Sequence, residues 1–480
     1  MYKATGFIGG NPVSLDREIP IYSPIDGKII GYVPAMQESH ISDAFSSAEL
    51  AFGKWKLLDY KLRTKYLLEF AAKLREHAPI LQNILNRETG KDVANAHEEI
   101  MRSADYIVES VHAYSDMVEH PDEYSYENNV LISKDIVATY IRTPIGVSLT
   151  ISPFNYPINL MITKVVPAIL MGNTVVHKSA LQGSLCGWYV SKIFNDLSVD
   201  GYLITPGVLN YVTGKGSDIG EFLTRSSYIK ALSFTGSTKV GKSLMLKLPH
   251  IPKQMEMGGH NPAVVLRNAD LKIVIPSILK GAFDFSGQRC TAIKKVFVHK
   301  DIYSQFMDKL QSALSILPPL NEPLINKGAV SKMEEFYKDA LDKGAKVVGN
   351  ELRVNGNFVS PIILENVDSS MKVFEEELFA PIIVIKEFEK DEEVVELCNN
   401  SKYGLQASIF SNNLDDAAGL AINIDFGRIN INTSPSRSPD ILPFLGIKDS
   451  GLGTQGIKDS LLFFSIPKGL VWKKREESKS

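Results

Sequence analysis

From Gly146 onward the chain alternates short aliphatic and β-branched runs with stretches of helical spacing. Residues 147–151, 174–177, 208–212 and 229–234 read as buried strands. Segments starting at Pro157, Trp188, Ser217 and Ser237 read as the helices between them. Parallel neighbours need a crossover, and a helix supplies it. This alternation therefore specifies an α/β fold built on a doubly wound parallel sheet. A second series begins near Met255, with strands expected at 263–266, 294–298, 347–348 and 382–388. That implies a second α/β domain.

The earlier part of the chain differs. Strands at 19–22 and 28–33 bracket a turn at 24–27. From Ser39 the pattern is helical, with Tyr66, Leu67, Phe70, Ala71 and Leu74 on one face and a further helix over 98–111. Residues 121–135 are polar and tyrosine-rich, and 135–141 reads as a strand, so this segment looks like an excursion from the main body. The final residues, 473–480, are charged and solvated.

Bulk properties exclude several classes. A chain of 480 residues, 44% hydrophobic, makes two to four domains, each with a core. The net charge of −3 gives no field for nucleic acid or membrane. Cys186, Cys290 and Cys398 are far apart and form neither a disulfide framework nor a metal pair, which fits a reducing cytosol. The N-terminus lacks a signal-peptide core, and the longest apolar run, 157–172, is broken by Lys164 and Pro167. A soluble cytoplasmic protein is expected. No metal is expected: His97-Glu98-Glu99 lacks the second histidine of a zincin helix, and a lone His260 reads as structural.

Chemistry concentrates around Cys290, in Gly287-Gln-Arg-Cys-Thr291. Lone cysteines are most often small buried hydrophobes. Here Arg289 precedes the thiol, and nearby positive charge lowers a thiol from its usual ~8.5, so a nucleophilic thiolate is expected. Glu256 lies 34 residues upstream and can meet the sulfur only through the fold. Asn155, in Ser152-Pro-Phe-Asn-Tyr-Pro157, is either a helix cap or an amide donor to an oxyanion. Arg102, Arg289 and Arg437 read as surface ion-pair residues, although Arg437 lies in a Ser/Pro-rich loop, 433–439, where a packed structural role is less obvious.

Two glycine-rich turns follow strands. Gly214-Lys-Gly216-Ser-Asp-Ile-Gly220 misses the dinucleotide spacing by one residue. The run from Gly236 to Ser243 literally matches a phosphate loop, which keeps an NTPase as an alternative class. Against it, no strand after that run ends cleanly in a magnesium-holding Asp, since Asp270 comes only after Arg267-Asn268-Ala269. An NTPase would also leave Cys290 and Glu256 without a role; ATP hydrolysis is the discriminating assay.

Six segments in order resemble the aldehyde dehydrogenase superfamily along nearly the whole chain. They are Ser152-Pro-Phe-Asn-Tyr-Pro157, Phe234-Thr-Gly-Ser-Thr238, Met255-Glu-Met-Gly-Gly259, Gly287-Gln-Arg-Cys290, Glu376-Glu-Leu-Phe-Ala-Pro381 and the run from Pro443 to Gly451. Within it, Gln288-Arg-Cys-Thr-Ala-Ile-Lys294 and Asn430-Ile-Asn-Thr-Ser-Pro-Ser-Arg437 are similar to the non-phosphorylating glyceraldehyde-3-phosphate dehydrogenase branch. The resemblance implies a cofactor domain (1–120 and 146–254), a catalytic domain (255–454) and a small β oligomerisation flap (121–145 and 455–480), assembled as a dimer or tetramer. It implies irreversible NAD(P)-dependent oxidation of an aldehyde to a carboxylic acid, with glyceraldehyde 3-phosphate as the leading substrate. Lactaldehyde, glyceraldehyde and succinate semialdehyde are the alternatives, and a non-catalytic binding protein is the remote third class.

By the same resemblance Cys290 is the nucleophile. Asn155 and the Cys290 N–H receive the oxyanion, and Glu256 activates water against the thioester. The presence of that acid argues against a CoA-acylating enzyme. Ile151, Ser152, Pro153, Phe154, Gly214 and Phe234 fall on the cofactor side. Lys178 and Glu377 match ribose ligands, Gly236 and Ser237 face the pyrophosphate, and Phe379 supports the nicotinamide. Arg102, Tyr156, Arg289 and Arg437 match the ligands of the substrate phosphate. Three departures stand out: Phe154 where Trp is commoner, Ala380 in place of a glycine, and Leu181 where NAD-preferring members carry an acid. With no carboxylate at Leu181 to repel a 2′-phosphate, NADP is expected to be preferred over NAD.

Overall fold

The structure, a computed structural model, describes residues 1–120, 131–133 and 136–473. An eight-stranded sheet is built around five parallel strands: Lys253–Glu256, Ile229–Thr235, Val147–Ser152, Thr174–Ser179 and Leu209–Tyr211, in that spatial order. Gly451–Leu452 closes one edge antiparallel, and Gly6–Ile8 with Asn11–Val13 closes the other. Helices cover both faces, giving two cores. One gathers Trp55, Phe70, Ile162 and Phe194, and the other Phe45, Leu149, Ile219 and Leu244. Burial on both faces is why the strands read as continuous apolar runs without alternation.

The second series forms a seven-stranded sheet, in the order Lys346–Val348, Ile362–Glu365, Ile382–Phe388, Ile293–His299, Asn261–Val265, Gln406–Phe410 and Arg428–Ile431. It too has a core on each face, around Phe336 and Ile409 on one side and Ile278 and Phe306 on the other. The junction falls later than the sequence suggests. Met255 and Glu256 pair with Phe234 and Thr235, so they still belong to the first sheet. The backbone crosses between sheets at Gly258–Gly259.

The excursion and the chain's end meet in a third sheet. Ser465–Lys473 runs antiparallel to Ile136–Pro144 from Ser465↔Pro144 to Lys473↔Ile136, and Leu131–Ser133 lies on the far side. The other expected flap residues, 121–130, 134–135 and 474–480, lie outside the described residues. Helix Ile457–Phe463 departs from the expectation. Ile457, Leu461 and Phe464 are buried in the first core, so that segment is part of the main body and not of the flap.

Candidate active site

Cys290 sits on a loop held from several sides. After helix Leu271–Phe283, residues Phe285, Ser286 and Gly287 take φ values of 52°, 50° and 68°. For the two non-glycines this left-handed region costs roughly 1–3 kcal/mol each and persists only if neighbours enforce it. Here they do. Ser286 Oγ donates to the Glu322 carbonyl, and Gln288 Nε2 donates to Pro323 O at 3.0 Å while its Oε1 accepts from Ile325 N at 2.9 Å. Buried Lys294 donates to Gly287 O and Ala380 O, at 3.1 and 2.7 Å. Asn261 Nδ2 donates to Cys290 O and Ala292 O, both at 2.8 Å. Gly259 is required beneath the loop, because a Cβ there would lie 2.2 Å from Cys290 O.

Asn155 and Glu256 converge on this loop from the C-terminal ends of first-sheet strands. Asn155 Nδ2 donates one hydrogen to Gln288 O at 2.9 Å, which fixes the amide beside the nucleophile loop. It is not the cap of helix Asn159–Leu170; Ile158 holds that position. Glu256 is 2% exposed, and neither carboxyl oxygen has a hydrogen-bond partner. Burial pushes it up to about 8, against the charges of Arg437 and Lys164. The expectation that Arg289 would yield a resting thiolate is not met. Burial, then Glu256 and Glu377, push the Cys290 thiol up to about 12, with Arg437 and Arg289 only partly opposing. Burial is the main reason; Arg289, besides, turns its NH2 to the carbonyls of Lys280 and Gly281, 3.2 and 2.8 Å away, at the end of the preceding helix. Cys186 and Cys398 are packing residues, buried in separate cores.

On one side of Cys290 opens a cleft of about 530 Å³. Ile151, Ser152, Pro153 and Phe154 line it at a strand end, with Lys178, Leu181, Phe234, Gly236, Ser237, Glu377 and Phe379 around them. Gly214 is the exception: its Cβ position is filled by Ile219, and Gly216 lines the cleft instead. Ser237 is the N-cap of helix Thr238–Lys247, its side chain caps nothing, and the first turn has no acid. Those free N–H groups suit a pyrophosphate. A Cβ on Gly236 would lie 2.6 Å from the Phe234 ring, so the approach needs glycine. Glu377 Oε1 accepts from Gly259 N at 2.7 Å and is pushed up to about 7 by burial. Lys178 is pushed down to about 8 by burial. The rings of Phe154 and Phe379 meet edge to face, 6.2 Å apart. An extended, two-ended ligand with an anionic middle fits these walls.

The phosphate-loop alternative fails here. Helix begins at Thr238, so only two residues separate strand from helix and no loop wraps a triphosphate. Lys242 lies inside the helix and pairs with Asp449 at 2.7 Å. Among the described residues no cluster of His, Cys, Asp and Glu could hold a metal ion.

On the other side of Cys290 lies a small pocket of about 80 Å³ that joins Asn155, Glu256 and Thr291 to Arg102, Tyr156, Arg289 and Arg437. A neighbouring hollow of about 220 Å³ shares Arg102, Tyr156 and Arg289 with it and adds Lys91, Glu98 and Lys280. All four expected substrate residues are thus brought together. Sequence reasoning missed their supports. Asp440 binds Arg102 through Nε and NH2, at 2.8 and 2.9 Å, and accepts from Arg437 Nε at 3.3 Å. Buried Lys91 pairs with Glu99 at 2.5 Å and stands 3.5 Å from the Tyr156 ring centroid. Lys164, read in the sequence only as a break in an apolar run, is fully buried beside Glu256 and donates to Thr235 Oγ1 at 2.7 Å; burial pushes it down to about 7. A lysine inside an apolar helix was the signal that could have found it.

Comparison with known proteins agrees with this geometry. A profile of the aldehyde dehydrogenase family matches residues 12–469. NADP-dependent glyceraldehyde-3-phosphate dehydrogenase of Streptococcus equinus is 35% identical over 477 residues, 97% of this chain and 98% of the relative. 3-Sulfolactaldehyde dehydrogenase of Pseudomonas putida is 31% identical over 95% of this chain and 94% of its own. The crystal structure of NADP-dependent glyceraldehyde-3-phosphate dehydrogenase from Bacillus halodurans C-125, complexed with NADP, superposes with a TM-score of 0.93 at 34% identity, covering 98% of this chain and 100% of that one. The chain belongs to the aldehyde dehydrogenase family.

Proposed function

We propose that this protein oxidises glyceraldehyde 3-phosphate to 3-phosphoglycerate with NADP and water. The observation that carries the reading is the pocket uniting Cys290, Asn155 and Glu256 with three arginines, backed by a dinucleotide-shaped cleft on the other side of the sulfur. Arginine's planar fork suits phosphate oxygens. The names of relatives and of a solved neighbour point to the same substrate and cofactor. Leu181, with no carboxylate to repel a 2′-phosphate, supports NADP. Ser237 and Gly236 would hold its pyrophosphate, and Lys178 and Glu377 its riboses.

Cys290 loses its thiol proton to solvent and adds to the aldehyde carbon as the thiolate. The oxygen takes up negative charge, and Asn155 Nδ2 with the Cys290 N–H would receive it; one such donor is worth ~10²–10³ in rate. The bound cofactor supplies a hydride acceptor, which leaves an acyl group on sulfur. Water then displaces the cysteine, and Glu256 takes the water's proton. Its lack of hydrogen-bond partners leaves both oxygens free for that water.

The first sheet would serve as the cofactor domain, the second as the catalytic domain, and the third as an oligomerisation flap. Tyr140, Ile141, Leu470, Val471 and Trp472 are exposed on that flap, which supports a dimer or tetramer formed with further copies of this chain. Among the described residues no helix is long and apolar enough to cross a membrane, and the free thiols fit the cytoplasm. A second substrate reading, a small aldehyde with a carboxylate or sulfonate, draws on the same arginines and on the sulfolactaldehyde relative.

The test is a steady-state panel of glyceraldehyde 3-phosphate, glyceraldehyde, lactaldehyde and succinate semialdehyde with NAD and NADP. The highest kcat/KM is expected for glyceraldehyde 3-phosphate with NADP, with no requirement for inorganic phosphate. A phosphate requirement, or a preference for glyceraldehyde, would defeat the reading.

A further inference from the structure

Asp440 belongs to no motif used above, yet it occupies a decisive place behind the acyl pocket. Its side chain is 8% exposed. It takes two parallel hydrogen bonds from Arg102, on helix Val93–Glu119, and one from Arg437, three residues away on its own loop. Arg437 is further fixed by Gln455 Oε1 at 2.7 Å. The loop itself is stapled by Arg428, whose guanidinium donates to the carbonyls of Ser436, Arg437, Ser438 and Pro443. Burial alone would push the Asp440 carboxyl up, but the hydrogen bond from Arg102 and the charge of Arg437 outweigh it and hold the group below the usual range. It is therefore a fixed negative charge.

Two consequences follow. Arginine side chains carry several rotatable bonds, and an anion gains affinity when they are already aligned. One carboxylate bridging both guanidinium groups does that while leaving the NH1 group of Arg102 outside these bonds. The charge balance is the second. Three arginines and Glu256 line the pocket, and Asp440 stands behind them; while Glu256, pushed up to about 8 by burial, keeps its proton, three arginines against one carboxylate leave a surplus of two positive charges. A phosphate monoester at neutral pH carries about two negative charges.

We propose that Asp440 is the positioning residue of the acyl pocket: it holds Arg102 and Arg437 as one fork and sets the pocket's surplus charge to match a dianionic aldehyde over a monoanionic or neutral one. The proposal rests on the anion-pocket reading above. Asp440→Asn keeps the size and removes the charge. It is expected to raise KM for glyceraldehyde 3-phosphate about tenfold or more, the loss typical when a charged partner of a hydrogen-bonded pair is removed. The expected kcat stays within about twofold, and kcat/KM for glyceraldehyde is unchanged. Asp440→Glu restores the charge and should recover part of the loss.

Inorganic phosphate, measured as an inhibitor competing with glyceraldehyde, separates this inference from the substrate assignment. Wild-type preference among aldehydes tests the assignment. Weaker phosphate inhibition in Asp440→Asn tests Asp440 whichever anionic aldehyde is preferred. Equal losses on charged and neutral aldehydes would overturn the proposal, as would an Asp440→Glu protein no better than Asp440→Asn. Tighter binding of phosphate to Asp440→Asn would also overturn it, because Asp440 would then merely compete with substrate.

Discussion

The two hollows that meet at Cys290 are built by different means. The cofactor cleft is made of strand ends, glycines and a helix N-terminus, so its key donors are backbone N–H groups. The acyl pocket is made of polar side chains from distant segments: the guanidinium groups of Arg102, Arg289 and Arg437 and the phenol of Tyr156. One is specified by the path of the chain, the other by ion pairs that must be assembled. The first should therefore tolerate side-chain changes that leave the backbone alone, whereas the second should fail selectively, substrate by substrate. Cys290 and Asn155 line both hollows, and Glu256 lines the acyl pocket.

The largest effect tests that shared centre. Cys290→Ser is expected to lower aldehyde oxidation by more than about 10³-fold while leaving NADP affinity intact, measured by turnover and by fluorescence titration. Lost cofactor binding would mean that the two hollows are not independent.

Glu256→Gln comes next, with a loss of about 10²–10⁴ in steady-state turnover. Wild-type turnover should rise with pH through about 8, where Glu256 ionises, and this limb should vanish in the variant. The stability effect has the opposite sense. The folded carboxyl sits above its unfolded value, so the folded state binds more protons, and stability falls as pH rises from about 4.5 towards about 8. Glu256→Gln should therefore melt higher than the wild type at pH 8.

Arg437→Ala should raise KM for glyceraldehyde 3-phosphate roughly 10- to 100-fold and that for glyceraldehyde far less. It should also move the Glu256 limb to higher pH, because the arginine's charge favours the carboxylate. A uniform rise in both KM values would remove the distinction between the hollows. The smallest effect belongs to the cofactor side: Leu181→Asp should weaken NADP about tenfold, through like charge near the 2′-phosphate, with kcat for NAD nearly unchanged.

What was readable in the sequence follows the same division. Strand and helix order was legible because continuous apolar runs alternate with stretches of helical period, and the cofactor walls because Ser152–Asn155, Gly236–Ser237 and Glu377–Phe379 are short contiguous runs. The junction was expected at Met255 and falls at Gly258–Gly259, because a backbone crossing between two sheets carries no local mark. Gly214 was mistaken for a lining residue because turn glycines look alike, and only packing against Ile219 separates it from Gly216. Asp440 was missed because its partner Arg102 lies 338 residues away, and Lys91 because a lysine 8 residues from a glutamate looks like a surface pair; Lys164 did carry a local signal, a charge inside an apolar helix, but its contacts with Thr235 and Glu256 come only from the fold. The direction of the Cys290 shift was misread because burial, invisible in the local sequence, outweighs the adjacent Arg289, whose NH2 group also faces the end of a helix.

The most direct test of the shared centre is rapid mixing of Glu256→Gln enzyme with NADP and saturating aldehyde, followed by the mass of the intact protein. The account predicts a burst of about one NADPH per site, then slow turnover, with the acyl group found on Cys290. No burst and an unmodified Cys290 would contradict it, because Glu256 would then be needed before hydride transfer and not for hydrolysis.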